Sequence, residues 1–90
     1  MKAAVFSGPG ALNVVDRKVP EPAPGWVRIG VTAVGICGSD LHIFGAAIGD
    51  PKGLQPGHEV AGVVDALGDG VTLATGTRVA LEPLTSCGHC

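Results

Sequence analysis

Two short stretches hold most of the side chains that could do chemistry. They are Gly35-Ile36-Cys37-Gly38-Ser39-Asp40-Leu41-His42 and, beginning fifteen residues after His42, Gly57-His58-Glu59. Between them they offer a thiol, two imidazoles, two carboxylates and a hydroxyl. Zinc takes this mixture: a borderline-soft divalent cation accepts thiolate, imidazole and carboxylate, and a catalytic site keeps one position open for water or substrate. Cys37 and His58 are therefore the first two candidate ligands. Each residue also has a blander reading, because a single Cys is usually a small hydrophobe and a single His is usually a hydrogen-bonded core residue. Ser39 or Asp40 could simply cap the first turn of a helix. Glu59 is a conditional ligand. Adjacent side chains on an extended segment point to opposite faces, so His58 and Glu59 can both serve only if the backbone bends there. Otherwise Glu59 is a charge paired with Arg28 or Arg78.

The elements that must position these groups are mostly strands. Trp26 to Val34 alternates, with Val27, Ile29, Val31 and Ala33 on one face and Arg28, Gly30 and Thr32 on the other, and it runs directly into Gly35 and Cys37. Ser39 to Phe44 reads as a short helix, Gly49 to Gly57 as a loop bordering the site, and Glu59 to Leu67 as a further strand. Gly68-Asp69-Gly70 then turns, and Arg78 to Leu81 is the last strand before Cys87. Upstream, Lys2 to Phe6 and Leu12 to Val19 flank Gly8-Pro9-Gly10 and form a hairpin. Pro20, Pro22 and Pro24 make an extended connection poor in hydrogen bonds.

The totals bound the answer. Ninety residues, 46% of them hydrophobic but with only two Phe, one Trp and no Tyr, give one small domain whose core is Val, Ala, Leu and Ile. Fifteen Gly and seven Pro supply its turns. Together these suggest a β-rich barrel or sandwich. A formal charge of -2 without a basic cluster argues against a nucleic-acid surface. No apolar run approaches the roughly 18 residues that cross a bilayer, so no membrane partner is expected. Gly8-Pro9-Gly10 interrupts the start too early for a signal-peptide core, and a cytoplasmic location is expected. Three cysteines without an export signal are better read as metal thiolates than as a disulfide framework. Neither Gly8-Pro9-Gly10 nor Gly68-Asp69-Gly70 completes G-x-G-x-x-G, since Asn13 and Leu73 stand where the third glycine belongs.

Gly-Ile-Cys-Gly-Ser-Asp-Leu-His followed by Pro-Gly-His-Glu-Val-Ala-Gly-Val-Val resembles the N-terminal catalytic domain of the zinc-dependent medium-chain alcohol and polyol dehydrogenases. The resemblance covers essentially the whole chain. It implies a mainly β fold, a GroES-like partly open β-barrel with short helices. Residues 1–90 would be that domain, ending within the lobe that holds a structural zinc, with the nucleotide-binding domain absent. It further implies hydride transfer between a small-molecule alcohol or polyol and NAD or NADP, in a full-length enzyme that is a homo-oligomer. Catalytic zinc would be held by Cys37 and His58, with Glu59 close behind and a third ligand from later in the chain. Ser39 matches the residue that accepts the alcohol proton, His42 the residue that relays it to solvent, and Asp40 the carboxylate that accepts a hydrogen bond from the ligating imidazole. Thr77, where the family often has Asp before Arg-Val, bears on a turn more than on chemistry.

Cys87-Gly88-His89-Cys90 is the last motif. Alone it is half of a structural zinc site, a redox pair or chance, and the redox reading lacks a thioredoxin-like βαβ setting. Only the first fits the resemblance, in which two further cysteines would complete the site, so Cys87 and Cys90 are expected as an incomplete structural zinc site. The alternative to an enzyme is a stand-alone GroES-like module that holds metal weakly or serves structure, without catalysis. A zinc-free quinone reductase relative is disfavoured because such proteins lack the Cys37 and Gly-His-Glu ligands.

Overall fold

A computed structural model describes residues 1–46 and 49–90. Contacts divide them into two compact units, Met1–Pro20 with Ile36–Gly57 and Glu21–Gly35 with His58–Cys90.

The first unit is built on a hairpin. Strands β1 (Lys2–Gly8) and β2 (Ala11–Asp16) pair antiparallel, from Lys2 opposite Asp16 to Gly8 opposite Ala11. β2 stops earlier than its Val-rich sequence suggests, at Asp16 rather than Val19. Arg17, just past the strand, still donates its N–H to the carbonyl of Met1 (2.8 Å), and Pro20, which lacks a backbone donor, follows closely behind. Helix α1 (Gly38–Phe44) is held to this hairpin. Phe44 packs against buried Phe6, ring centroids 6.1 Å apart, and its carbonyl accepts the N–H of Gly10 (2.7 Å). The loop expected between Gly49 and Gly57 lies along β1, where Phe6 exchanges backbone hydrogen bonds with Gly53 and Leu54. Nothing in the composition announced the Phe6–Phe44 pair, in which Phe6 is buried and Phe44 stays partly exposed.

The second unit is a three-stranded antiparallel sheet in the order β3 (Val27–Gly35), β4 (Glu59–Leu67), β5 (Arg78–Ala80). Leu81 lies just outside β5, yet its N–H still reaches the Val60 carbonyl (2.8 Å). The simple two-face alternation expected of β3 does not survive. Two bulges interrupt its pairing, between Arg28 and Ile29 and between Val31 and Ala33. At the first the extra residue is Asp65 on β4, and at the second it is Thr32 on β3; Val31 is 56% exposed while Arg28 is only partly so. Val64, on the central strand, is fully buried. Gly62 sits where the strands come closest: a Cβ there would run into the Gly30 carbonyl oxygen and lie 2.6 Å from Ile29 Cγ2. Arg28 donates to Asp65 (2.7 Å) and also faces Glu21 at 3.6 Å. The Asp65 hydrogen bond is the main cause that raises its pKa further above the already high arginine value.

Candidate metal centre

In the second unit the register brings the end of one motif to the start of the other. Gly35, the last residue of β3, is the partner of Glu59, the first of β4, and His58 immediately precedes it. Gly57, with φ of 108°, turns the chain just before His58, a conformation side chains other than glycine's rarely accept. His58 thus stands outside the strand and escapes its alternation. Both His58 and Glu59 line one open groove of about 440 Å³, whose other walls are apolar and include Ala33, Val60, Ala80 and Leu81. The bend that two neighbouring ligands require is therefore present. His58 is half-buried and Glu59 exposed. Among the described residues the Glu59 carboxylate forms no ion pair, which removes the expected alternative of pairing with Arg28 or Arg78. Arg28 is also remote by register, opposite Ala66 at the far end of the strand.

In the first unit Cys37, half-buried, is the residue before α1. Its N–H donates to Asp40 Oδ2 (2.9 Å) and its carbonyl accepts the Asp40 N–H (3.0 Å). Asp40 thus caps the helix by reaching back from its third position. Ser39 lies within the first turn and is not the cap residue, because the helix begins one residue earlier than expected. A carboxylate has about four lone-pair sites, so one backbone bond does not exhaust Asp40. Ser39 and His42 are both exposed and three residues apart on α1, on neighbouring surface. A single residue, Ile36, joins Gly35 to Cys37, so the chain itself limits the two Cα atoms to about 7 Å.

The Cys-x-x-Cys motif is exposed and belongs to no helix or strand. The Cys87 and Cys90 sulfurs are 3.0 Å apart, and the backbone N–H of His89 donates to Cys87 Sγ (3.4 Å). The hydrogen bond from Cys90, followed by that from His89, lowers the Cys87 thiol to about 7. The same contact raises Cys90. These opposite shifts are one effect seen from its two sides, a proton shared by a pair. His89 contributes through its backbone, which the spacing of the motif alone did not reveal.

Comparison with known proteins adds what the geometry leaves open. Residues 23–90 match the alcohol dehydrogenase GroES-like domain. The starvation-sensing protein RspB of Escherichia coli K12 is 46% identical over all of this chain and 27% of its own length. Sorbitol dehydrogenase of Bacillus subtilis is 42% identical over the same shares. The crystal structure of the short chain alcohol dehydrogenase RspB from E. coli CFT073, complexed with cofactor NADH, aligns with a TM-score of 0.89 at 45% identity, over all of this chain and 26% of that one. A mainly β fold with short helical structure and this ordering of motifs define the GroES-like domain of the medium-chain dehydrogenase superfamily, related to the zinc-type alcohol and sorbitol dehydrogenases. This chain belongs to the alcohol dehydrogenase GroES-like domain family and is homologous to NAD(P)-binding oxidoreductases. It spans about a quarter of the length of these relatives. Among the described residues no helix is long and apolar enough to cross a membrane.

Proposed function

We propose that these residues are the N-terminal part of a zinc-dependent oxidoreductase that transfers hydride between a small-molecule alcohol or polyol and NAD or NADP. The observation that carries the reading is the Gly35–Glu59 register pair, with Cys37 two residues beyond one partner and His58 one residue before the other. Cys37, His58 and Glu59 offer a sulfur, an imidazole and a carboxylate, and that donor set suits zinc. Zinc, when bound, supplies a Lewis acid that stabilises an alkoxide or polarises a carbonyl. The nicotinamide exchanges the hydride and would be held by chain outside these residues, since no G-x-G-x-x-G lies within them.

The chain's own residues then have separate tasks. Cys37 and His58 hold the ion and Glu59 stands by as a conditional ligand; a third ligand comes from elsewhere in a longer protein. Ser39 accepts the proton that the alcohol loses and His42, exposed on the same helix, passes it to solvent. Asp40 steadies the backbone of Cys37 and accepts a hydrogen bond from the ligating imidazole, which fixes its tautomer. The groove of about 440 Å³ beside His58 lies within the roughly 300–1,000 Å³ usual for small-molecule sites. Cys87 and Cys90 supply half of a structural zinc site. The full-length enzyme is a homo-oligomer in this reading.

Metal analysis of the chain purified with zinc tests the ligands directly. The expected result is zinc bound by the wild type and lost in both Cys37→Ala and His58→Ala, with the Cys87–Cys90 pair replaced by serines throughout. Equal zinc in all three proteins would overturn the assignment. Turnover is read separately, in the longer protein, as alcohol-dependent reduction of NAD or NADP. Zinc binding without any such turnover would favour a metal-binding module over an enzyme.

A further inference from the structure

Gly35 ends β3 directly opposite Glu59. Its φ is not in the left-handed region, so its backbone would accept any L residue. Space explains the glycine instead: a Cβ at this position would lie 2.7 Å from Glu59 Oε2 and 3.3 Å from Glu59 Cβ. The carboxylate fills the volume a side chain would need. Among the described residues nothing donates a hydrogen bond to that carboxylate, and the groove around it is walled mainly by apolar residues such as Ala33 and Val60. Room, and no polar anchor, sets where the carboxylate rests.

We propose that Gly35 is a positioning residue for Glu59, its missing side chain leaving the place in which the carboxylate lies as it is presented to a cation beside His58. This rests on the metal reading above and adds to it a residue without any ligand atom. The closest atom is the far end of a flexible side chain, so an alanine at position 35 displaces the carboxylate and leaves the strand pair in place. Metal–ligand distances are held within about 0.2 Å, so a displacement of a few tenths of an ångström is enough to weaken binding.

The test is a cobalt(II) titration followed by absorbance, on the wild type, Gly35→Ala, Glu59→Ala and the double variant, all with Cys87 and Cys90 replaced by serine. Gly35→Ala is expected to lose roughly tenfold in affinity, the scale of a residue that acts on a ligand from outside, with its thermal midpoint unchanged. In the Glu59→Ala background the same change is expected to do nothing further, the signature of two residues acting as one unit. Unchanged affinity in Gly35→Ala, or an equal loss in both backgrounds, overturns the proposal. Should the wild type bind no cobalt, the metal reading falls. The side-chain scalar couplings of Glu59 in the metal-free chain then decide for Gly35: altered rotamer populations in Gly35→Ala uphold it, and unaltered ones sink it.

Discussion

The chain's cysteines sit in two regions that differ in what fixes their sulfur. Cys37 lies one residue beyond the end of β3 and immediately before α1, and its backbone is tied to Asp40 at both its N–H and its carbonyl. Cys87 and Cys90 follow the last strand in exposed chain, and what organises them is chiefly their own contact and one N–H from His89. Groups carried on rigid elements are placed more accurately than groups on loops. The first region is thus organised before any ligand arrives. The second is organised by whatever its thiols bind.

If sheet and helix hold the first region, the largest effect should come from damage to the sheet, and the second region should ignore it. Gly62 is the place to apply that damage. It is buried, and a Cβ there meets the backbone of Gly30, which has no rotamer to change. Gly62→Ala is expected to destabilise the chain by about 3 kcal/mol, the upper range for overpacking, read as a lower denaturant midpoint. The pH at which Cys87 becomes half-reactive should stay where it is. An unaltered midpoint would mean that β3 and β4 can separate freely, and the contrast between the two regions would then lose its basis.

Asp40→Ala is a smaller insult to the same region. It removes the acceptor for the Cys37 N–H while leaving the backbone bond in the other direction. A lost helix cap typically costs about 1 kcal/mol, and that is the expected change on chemical denaturation. Asp40→Asn keeps an oxygen for that N–H and should recover most of the stability. On the proposed function the two variants should both weaken metal binding, since neither carries the negative charge that steadies a ligating imidazole. Recovery of stability without recovery of affinity would separate the capping task of Asp40 from its metal-related one.

What could be read before folding was largely local. The helix beside Cys37, the hairpin around Gly8-Pro9-Gly10 and the strands on either side of the Gly68-Asp69-Gly70 turn follow from periodicity and turn chemistry, which act over a few residues. The bulges between β3 and β4 do not, because a bulge depends on which partner residue is skipped, and that is a property of two strands. Val31 shares a face with Val27 and Ile29 in the sequence pattern, yet it is exposed in the fold where those two are half-buried. At the site, Cys37, His58 and Glu59 were legible as residue types, whereas the groove walls from Ala80 and Leu81 arise only through β4–β5 pairing. From the sequence Gly35 is legible only as the residue at which β3 runs toward the thiol. Its relation to Glu59 lies across the sheet, where no sequence window reaches.

The least disruptive variant bears on the second region. A thiol becomes a stronger acid when neighbours donate to its sulfur, because those bonds favour the anion. Cys87 has two such neighbours and titrates at about 7. Cys90→Ala removes the larger contribution and leaves the N–H of His89 at 3.4 Å. The Cys87 midpoint should therefore move up toward the ordinary thiol value of about 8.5. At neutral pH less thiolate would then be present, so alkylation by iodoacetamide in the metal-free chain should slow. In the reverse variant, Cys87→Ala, the partner sulfur is gone and Cys90 should titrate lower than before. Both residues are exposed, so neither change should move the unfolding midpoint. That separation of reactivity from stability is what a region organised only by its own thiols requires. A Cys90→Ala chain that unfolded earlier would instead tie the C-terminal segment to the sheet, and the two regions would no longer be independent.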